Sequence, residues 1–426
     1  MMLVAICTPI CFFLMLMMRV RFGRWLSYAN VVNCLWLIGI VTTSLGAFDV
    51  YQPSWEVYLY IMLMLISFNT LTFFCVRNSK IQSNELTLVC ISPTRNKIET
   101  VLLLFLLMLM IPELINSLKV LLLGGYNLVR ENSLTSFTFI QYFLYHYGNP
   151  IIISLSVISI VDVVFTGKNK LNFALAFVDT VINITIFASR WMLLEFILLL
   201  VLCMVLKYRF RILNVIKNNR KLMVCAIAGV CIVLFITSQR KMSGGNSTIL
   251  ENVFFYIWGS IACMGGHLSS IESSIAQDGY TFGQMFFSGI VGVFDDVLQP
   301  LLHISITPGI ETLNKIVQNY VFVSPNIRMN NNVTMVTAFL VDGGGFGVVI
   351  LTAITAWIFA HLYNKMNGKR SEKYTAYFIF SFSLFLFGII EWMPARATNI
   401  WVFIIIALIY KVRKIKINFG SRGGRL

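Results

Sequence analysis

Of the 426 residues, 58% are hydrophobic and 12% charged, with a mean hydropathy of +0.80. An ordinary soluble domain carries roughly a quarter charged residues, so this chain has too little polar surface to clothe a water-soluble fold of its size. A formal charge of +15 would suit nucleic acid if it formed one patch. Instead the cations fall in alternate loops between apolar runs, as in a polytopic membrane protein, and no nucleic-acid partner is expected.

Spanning a bilayer takes about 20 apolar residues in helical form, and the chain supplies eleven such runs: residues 2–18, 31–48, 57–76, 101–123, 137–165, 171–188, 192–206, 222–237, 334–362, 374–390 and 400–410. The expected fold class is an all-α polytopic membrane protein. Residues 238–333, rich in Gly, Ser and Asn, form the one long connection. They separate an N-terminal block of eight helices (1–237) from a C-terminal block of three helices and a basic tail (334–426).

Charge orients these runs. With Arg19, Arg21 and Arg24, the stretches 77–97, 168–170, 207–221 and 365–373, and the tail from Lys411 placed in the cytoplasm, 25 of the 33 basic residues lie inside. Twelve of the 18 acidic residues then lie outside. This is the positive-inside pattern. It puts the long loop on the non-cytoplasmic side and the C terminus in the cytoplasm. The first run has no basic residue before it and no small-residue cleavage site, which argues against a signal peptide.

Within the loop, Phe286, Ile290, Val293, Phe294, Val297 and Leu301 recur at helical spacing while Asp295, Asp296 and Gln299 fall largely on another face, until Pro300 disrupts the pattern. That predicts a helix lying on the membrane surface. Residues 254–264 are equally apolar but short, which predicts a re-entrant or interfacial segment. Trp25, Trp55 and Trp392 stand near run ends, where amphipathic rings anchor at headgroup level. Most of the nine cysteines lie inside apolar runs and read as packing residues. His146, His267, His303 and His361 are far apart and no Cys/His cluster has metal-ligand spacing, so neither a structural metal nor another cofactor is expected.

The informative residues are the cations that orientation disfavours on the outer face: Arg130, Arg190, Arg240 with Lys241, Arg328 and Arg396. A planar guanidinium suits bidentate contact with phosphate or pyrophosphate. The plainer reading is that each snorkels to lipid or pairs with an acid, Arg190 with Glu195 and Arg396 with Glu391. Arg190 stands out because Ala188-Ser189-Arg190-Trp191 reads as an abrupt hairpin between two apolar runs. Asp162, Asp179 and Glu195 are the clear acids inside runs, and a lone intramembrane acid either serves function or bonds a neighbouring helix.

The Ser189-Arg190 hairpin, then Gly279-Tyr280-Thr281-Phe282-Gly283, then Asn331-Asn332-Val333-Thr334 leading into Asp342-Gly343-Gly344-Gly345-Phe346-Gly347, resemble the oligosaccharide repeat unit polymerases, the Wzy-type O-antigen polymerases. The resemblance in topology runs over nearly the whole chain, while the motifs are short and degenerate. It implies a glycosyltransferase that joins undecaprenyl-pyrophosphate-linked repeat units into O-antigen or capsular polysaccharide, with those lipid-linked oligosaccharides as substrates and a chain-length regulator as a possible partner.

On that reading, a sugar hydroxyl attacks the anomeric carbon of a lipid-linked chain and expels undecaprenyl pyrophosphate. Preorganised guanidinium groups can stabilise the leaving charge without a metal. Arg190 and Arg240 are assigned that role first, Arg328 and Arg396 after them. His303, Glu272 and His267 are the leading candidates for a general base, with Asp278, Asp295 and Asp296 also in the loop. Tyr280, Asn332 and Asp342 are further substrate-binding candidates, although a helix-capping role and close helix packing explain Asp342 and its glycines equally well. The nearest rival is an O-antigen ligase, which differs in its acceptor. A flippase or other transporter is the rival of another class, but it needs polar residues along a midplane path and shows repeat symmetry absent here. The basic tail reads as attraction to anionic membrane lipids.

Overall fold

The computed structural model describes residues 2–77, 93–135, 138–209, 211–239, 248–330 and 332–412. Helices dominate them. The first block runs α1 (Met2–Phe22), α2 (Tyr28–Ser44), α3 (Trp55–Cys75), α4 (Pro93–Thr135), α5 (Phe139–Phe143), α6 (Asn149–Thr166), α7 (Lys170–Ile186), α8 (Trp191–Lys207), α9 (Ile212–Asn218) and α10 (Arg220–Gln239). The long connection contributes α11 (Ile249–Ile257), α12 (Gly259–Asp278), α13 (Ser288–Leu302), α14 (Gly309–Ile316) and the strands β1 (Val321–Ser324) and β2 (Ile327–Met329). The last block is α15 (Met335–Lys369), α16 (Glu372–Leu386) and α17 (Ala397–Val412).

Every expected apolar run coincides with a helix. Among the described residues, five helical stretches are long and apolar enough to cross a membrane, or six if the bent pair α11 and α12 counts as one. The protein is thus an apolar helical bundle of the membrane-embedded kind. Its outward surface is correspondingly greasy: Phe13, Val20, Phe74, Met108 and Phe346 are all exposed, an arrangement stable only against an apolar solvent.

Several expectations need correcting. The β1–β2 hairpin breaks the all-α pattern; Val321-Phe322-Val323 alternates inward and outward, and the chain reverses at Pro325-Asn326 before Ile327, residues that favour a turn. The stretch expected as a loop after residue 123 continues α4 to Thr135, because Gly124 and Gly125 only weaken a helix by about 1 kcal/mol each and no proline intervenes. Pro300 does not end α13, which runs on to Leu302. Trp25 and Trp55 are exposed as anchors should be, but Trp392 is 4% exposed. Its ring stacks on Phe286 at 5.1 Å and its Nε1 donates to the Phe286 carbonyl.

Polar side chains join the helices where apolar packing alone gives little preference between partners. Asn33 and Asn69 exchange amide hydrogen bonds of 2.9 and 2.8 Å between α2 and α3. Ser67 of α3 donates to the Val349 carbonyl of α15. At the end of the bundle away from the long connection, Arg95 is fully buried and bonded to Glu99 (2.9 Å), Glu372 (2.8 Å) and Asp162. That one guanidinium ties α4 to α6 and α16, with the Tyr410 ring of α17 against it.

The long connection folds onto the bundle. The bend of 52° between α11 and α12 falls at Trp258, whose Nε1 donates to the Leu35 carbonyl of α2. A bend of this size suits a broken span as well as the expected re-entrant segment. On α13, Ile290, Phe294, Val297 and Leu301 are exposed, so the apolar stripe remains available to lipid. The opposite face is held by protein: a Cβ on Gly289 would lie 2.2 Å from the Pro394 carbonyl oxygen, and one on Gly292 3.0 Å from Ala397. Asp296 fastens the same face, accepting from Trp401 Nε1 at 3.0 Å and facing His146 at 3.6 Å.

Candidate functional site

Two features bring polar groups together beside the long connection. The first is a cavity of about 130 Å³ between α6, α7, α8 and the start of α17, lined among others by Tyr145, Asn149, Asn183, Ser189, Glu195 and Arg396. Its roof is the expected hairpin: α7 ends at Ile186, Ala188 takes φ 47, and α8 begins at Trp191. The left-handed turn at Ala188 costs of order 1 kcal/mol, and it reverses the chain within four residues. One wall begins in a π turn, Leu144–Gly148, which sets Tyr145 and Asn149 toward the cavity. Such turns insert an extra residue into a helix and often accompany functional sites.

Arg396 is held in place rather than left to wander. Glu391 clamps it through Nε to Oε1 at 2.9 Å and Nη2 to Oε2 at 2.6 Å. The paired carboxylate raises the guanidinium above its already high pKa, so it stays charged at any physiological pH. Half of the Arg396 side chain remains exposed, leaving donors for an anion. Arg190 lies over the Tyr256 ring at 4.5 Å, and Tyr256 is also within electrostatic reach of Arg396. Ser189 and Trp191, the residues on either side of Arg190, line the cavity together with Arg396. The alternative pairing of Arg190 with Glu195 does not form: both Glu195 carboxylate oxygens lack a hydrogen-bond partner. Across residues 392–400 lies a second, almost wholly apolar cavity of about 210 Å³, lined by Phe286, Phe385, Trp392, Pro394, Ile400 and Phe403 among others.

The second feature is the break in α15. Gly343 and Gly344 leave helical geometry, Gly344 at φ 60 and ψ −149, a region open essentially to glycine alone. The Gly279–Gly283 segment docks there. Thr281 N donates to the Val341 carbonyl and Phe282 N to the Asp342 carbonyl. The Asp342 carboxylate accepts from Thr281 Oγ1 (2.6 Å), Met285 N (3.0 Å) and Phe286 N (2.8 Å). Rather than opening a span, Asp342 lies eight residues into α15 and caps the turn leading to α13, with both oxygens engaged. Tyr280 covers the break; a Cβ on Gly344 would meet its hydroxyl at 2.9 Å.

The remaining expected residues disperse. Arg328 lies on β2, over Tyr320 and Phe322 at 5.9 and 5.8 Å. Arg240 and Lys241 lie outside the described residues, as do the side chain of Arg130 and residue 331. His303 is the exposed C-cap of α13 with φ 54. His267 is 1% exposed within α12, its Nε2 unpartnered. Glu272 is exposed on α12 near Tyr60 and Tyr280, beside the α15 break. Asn332 is half-buried just before α15.

Glu195, Asn149, Asn183 and His146 were not singled out as site residues from the sequence. Glu195 carried a readable signal as an acid inside an apolar run. The asparagines, hydrogen-bonded to each other at 2.7 Å across α6 and α7, gave none, because their meeting depends on helix packing. No family model, curated protein or solved structure matches the chain.

Proposed function

We propose that the protein is a polyprenyl-pyrophosphate-dependent glycosyltransferase that polymerises lipid-linked oligosaccharide repeat units into O-antigen or capsular polysaccharide. On this reading all eleven apolar helices span the bacterial inner membrane, the long connection faces outward and the basic tail faces the cytoplasm. The observation that carries the reading is a polar cavity that Arg396 lines and the Ser189–Trp191 turn bearing Arg190 borders, with an apolar cavity lined from the same 392–400 segment.

The chemistry of these parts suits a substrate with three regions. Guanidinium groups fixed by an aromatic face and a carboxylate clamp are preorganised for a pyrophosphate whose charge grows as it leaves. Apolar walls suit a prenyl chain, and the amide and hydroxyl groups of Asn149, Asn183 and Ser189 suit sugar hydroxyls. The reaction makes a glycosidic bond between a hydroxyl of one repeat and the anomeric carbon of a lipid-linked chain.

The test is deletion in the host, complemented by wild type or Arg190→Ala at equal protein level, with surface polysaccharide resolved on a gel. A ladder reduced to one repeat in the deletion, and restored by wild type but not by Arg190→Ala, supports the proposal. Loss of the single-repeat band as well points to a ligase or a flippase, and an unchanged ladder overturns the glycan reading in that host.

A further inference from the structure

We propose that Glu195 is the proton acceptor of the transfer reaction, an inference that rests on the polymerase reading above. Glu195 sits in the second turn of α8, below Arg190, and lines the polar cavity. It is 1% exposed, yet neither carboxylate oxygen has a hydrogen-bond partner. Buried polar groups are almost always paired, and an exception in a folded protein calls for a reason.

Two neighbouring donors are engaged elsewhere: Asn183 Nδ2 donates to Asn149 Oδ1 at 2.7 Å and Asn399 Nδ2 to the Met393 carbonyl at 2.7 Å. Arg396 is held toward Glu391 through Nε and Nη2. What remains on the wall is an unused acceptor, with the Arg396 guanidinium as the cation acting on it. Acceptor and anion-binding groups thus meet in one cavity, the arrangement a transfer between a hydroxyl and a phosphate ester needs. His267, His303 and Glu272 of the long connection line neither cavity. His303 and Glu272 are exposed, and His267, buried with an unpartnered Nε2, lies on α12.

In the step so assigned, the oxygen of the acceptor sugar hydroxyl forms a bond to the anomeric carbon, and the bond from that carbon to the pyrophosphate oxygen breaks. The bonding pair leaves with undecaprenyl pyrophosphate, toward Arg190 and Arg396, and the hydroxyl proton passes to Glu195. Water at the cavity mouth then takes the proton and restores the carboxylate.

The test uses the full-length protein in membranes of the deletion host, which supply the lipid-linked repeats, with wild type, Glu195→Gln and Glu195→Asp at equal level. Positioned acid or base groups contribute about 100-fold or more. Glu195→Gln is therefore expected to lower polymer by at least about 100-fold, and Glu195→Asp to retain a measurable fraction. In parallel, each variant is purified and its thermal stabilisation by added undecaprenyl pyrophosphate is measured. Glu195→Gln is expected to elute as a single species and to keep the wild-type shift. A full ladder from Glu195→Gln overturns the assignment, and so does a Glu195→Gln protein that has lost that shift or its homogeneity, since the loss of polymer is then structural. A wild type that leaves the deletion phenotype unchanged instead overturns the polymerase reading itself.

Discussion

Single residues divide into those that meet an anion and those that hold the scaffold. Arg396→Lys keeps a charge but loses the two-point grip of Glu391 and the planar fork. It is expected to cut polymer by about tenfold or more, with Arg396→Ala worse, measured by densitometry of the ladder. Asp342→Ala is expected to behave differently. It removes the acceptor of two buried backbone amides and should destabilise by roughly 1–3 kcal/mol, read as a lower melting temperature in detergent before any effect on ligand affinity. An Asp342→Ala protein of wild-type stability that had lost substrate binding would restore the ligand-contact role. Arg190 and Arg396 stood out in the sequence because the orientation expected from charge disfavours cations at their positions. That Arg396 and the turn bearing Arg190 border one cavity, while Arg328 stands on β2, depended on how α7, α8 and α17 pack, which local pattern does not encode.

Elements were more legible than their contacts. Hydropathy located every long apolar helix because burial in lipid imposes a length, whereas the π turn at Leu144–Gly148 and the β1–β2 hairpin impose none. The surface helix α13 was foreseen from its stripe, but its glycine face was not, since Gly289 matters only through the Pro394 carbonyl lying against it. Gly289→Val is expected to lift α13 from α17 and disturb the loop that carries Arg396. It should lower both melting temperature and polymer yield, while Leu301→Val on the exposed stripe changes neither. Equal effects from the two would show that α13 is not seated through its glycines.

Taken as a whole, the bundle is knotted at one end by Arg95 and open at the other. Arg95 was counted among the cytoplasmic cations that orient the chain, yet it is buried among three carboxylates from three helices. Replacing it leaves those acids without their cation, and breaking a buried pair of this kind costs roughly 3–5 kcal/mol. Arg95→Ala is expected to lose the single peak in size-exclusion chromatography, and wild-type elution and melting temperature would refute the knot. At the open end, the Ala188 turn joins two helices of only 17 residues each, about 25 Å of rise apiece. A typical hydrocarbon core is about 30 Å thick. If both helices cross fully, the leaflets must pinch inward around this hairpin. Arg190 would then meet phosphate groups already drawn below the general membrane surface, and thin, short-chain bilayers would be the more hospitable medium for the protein.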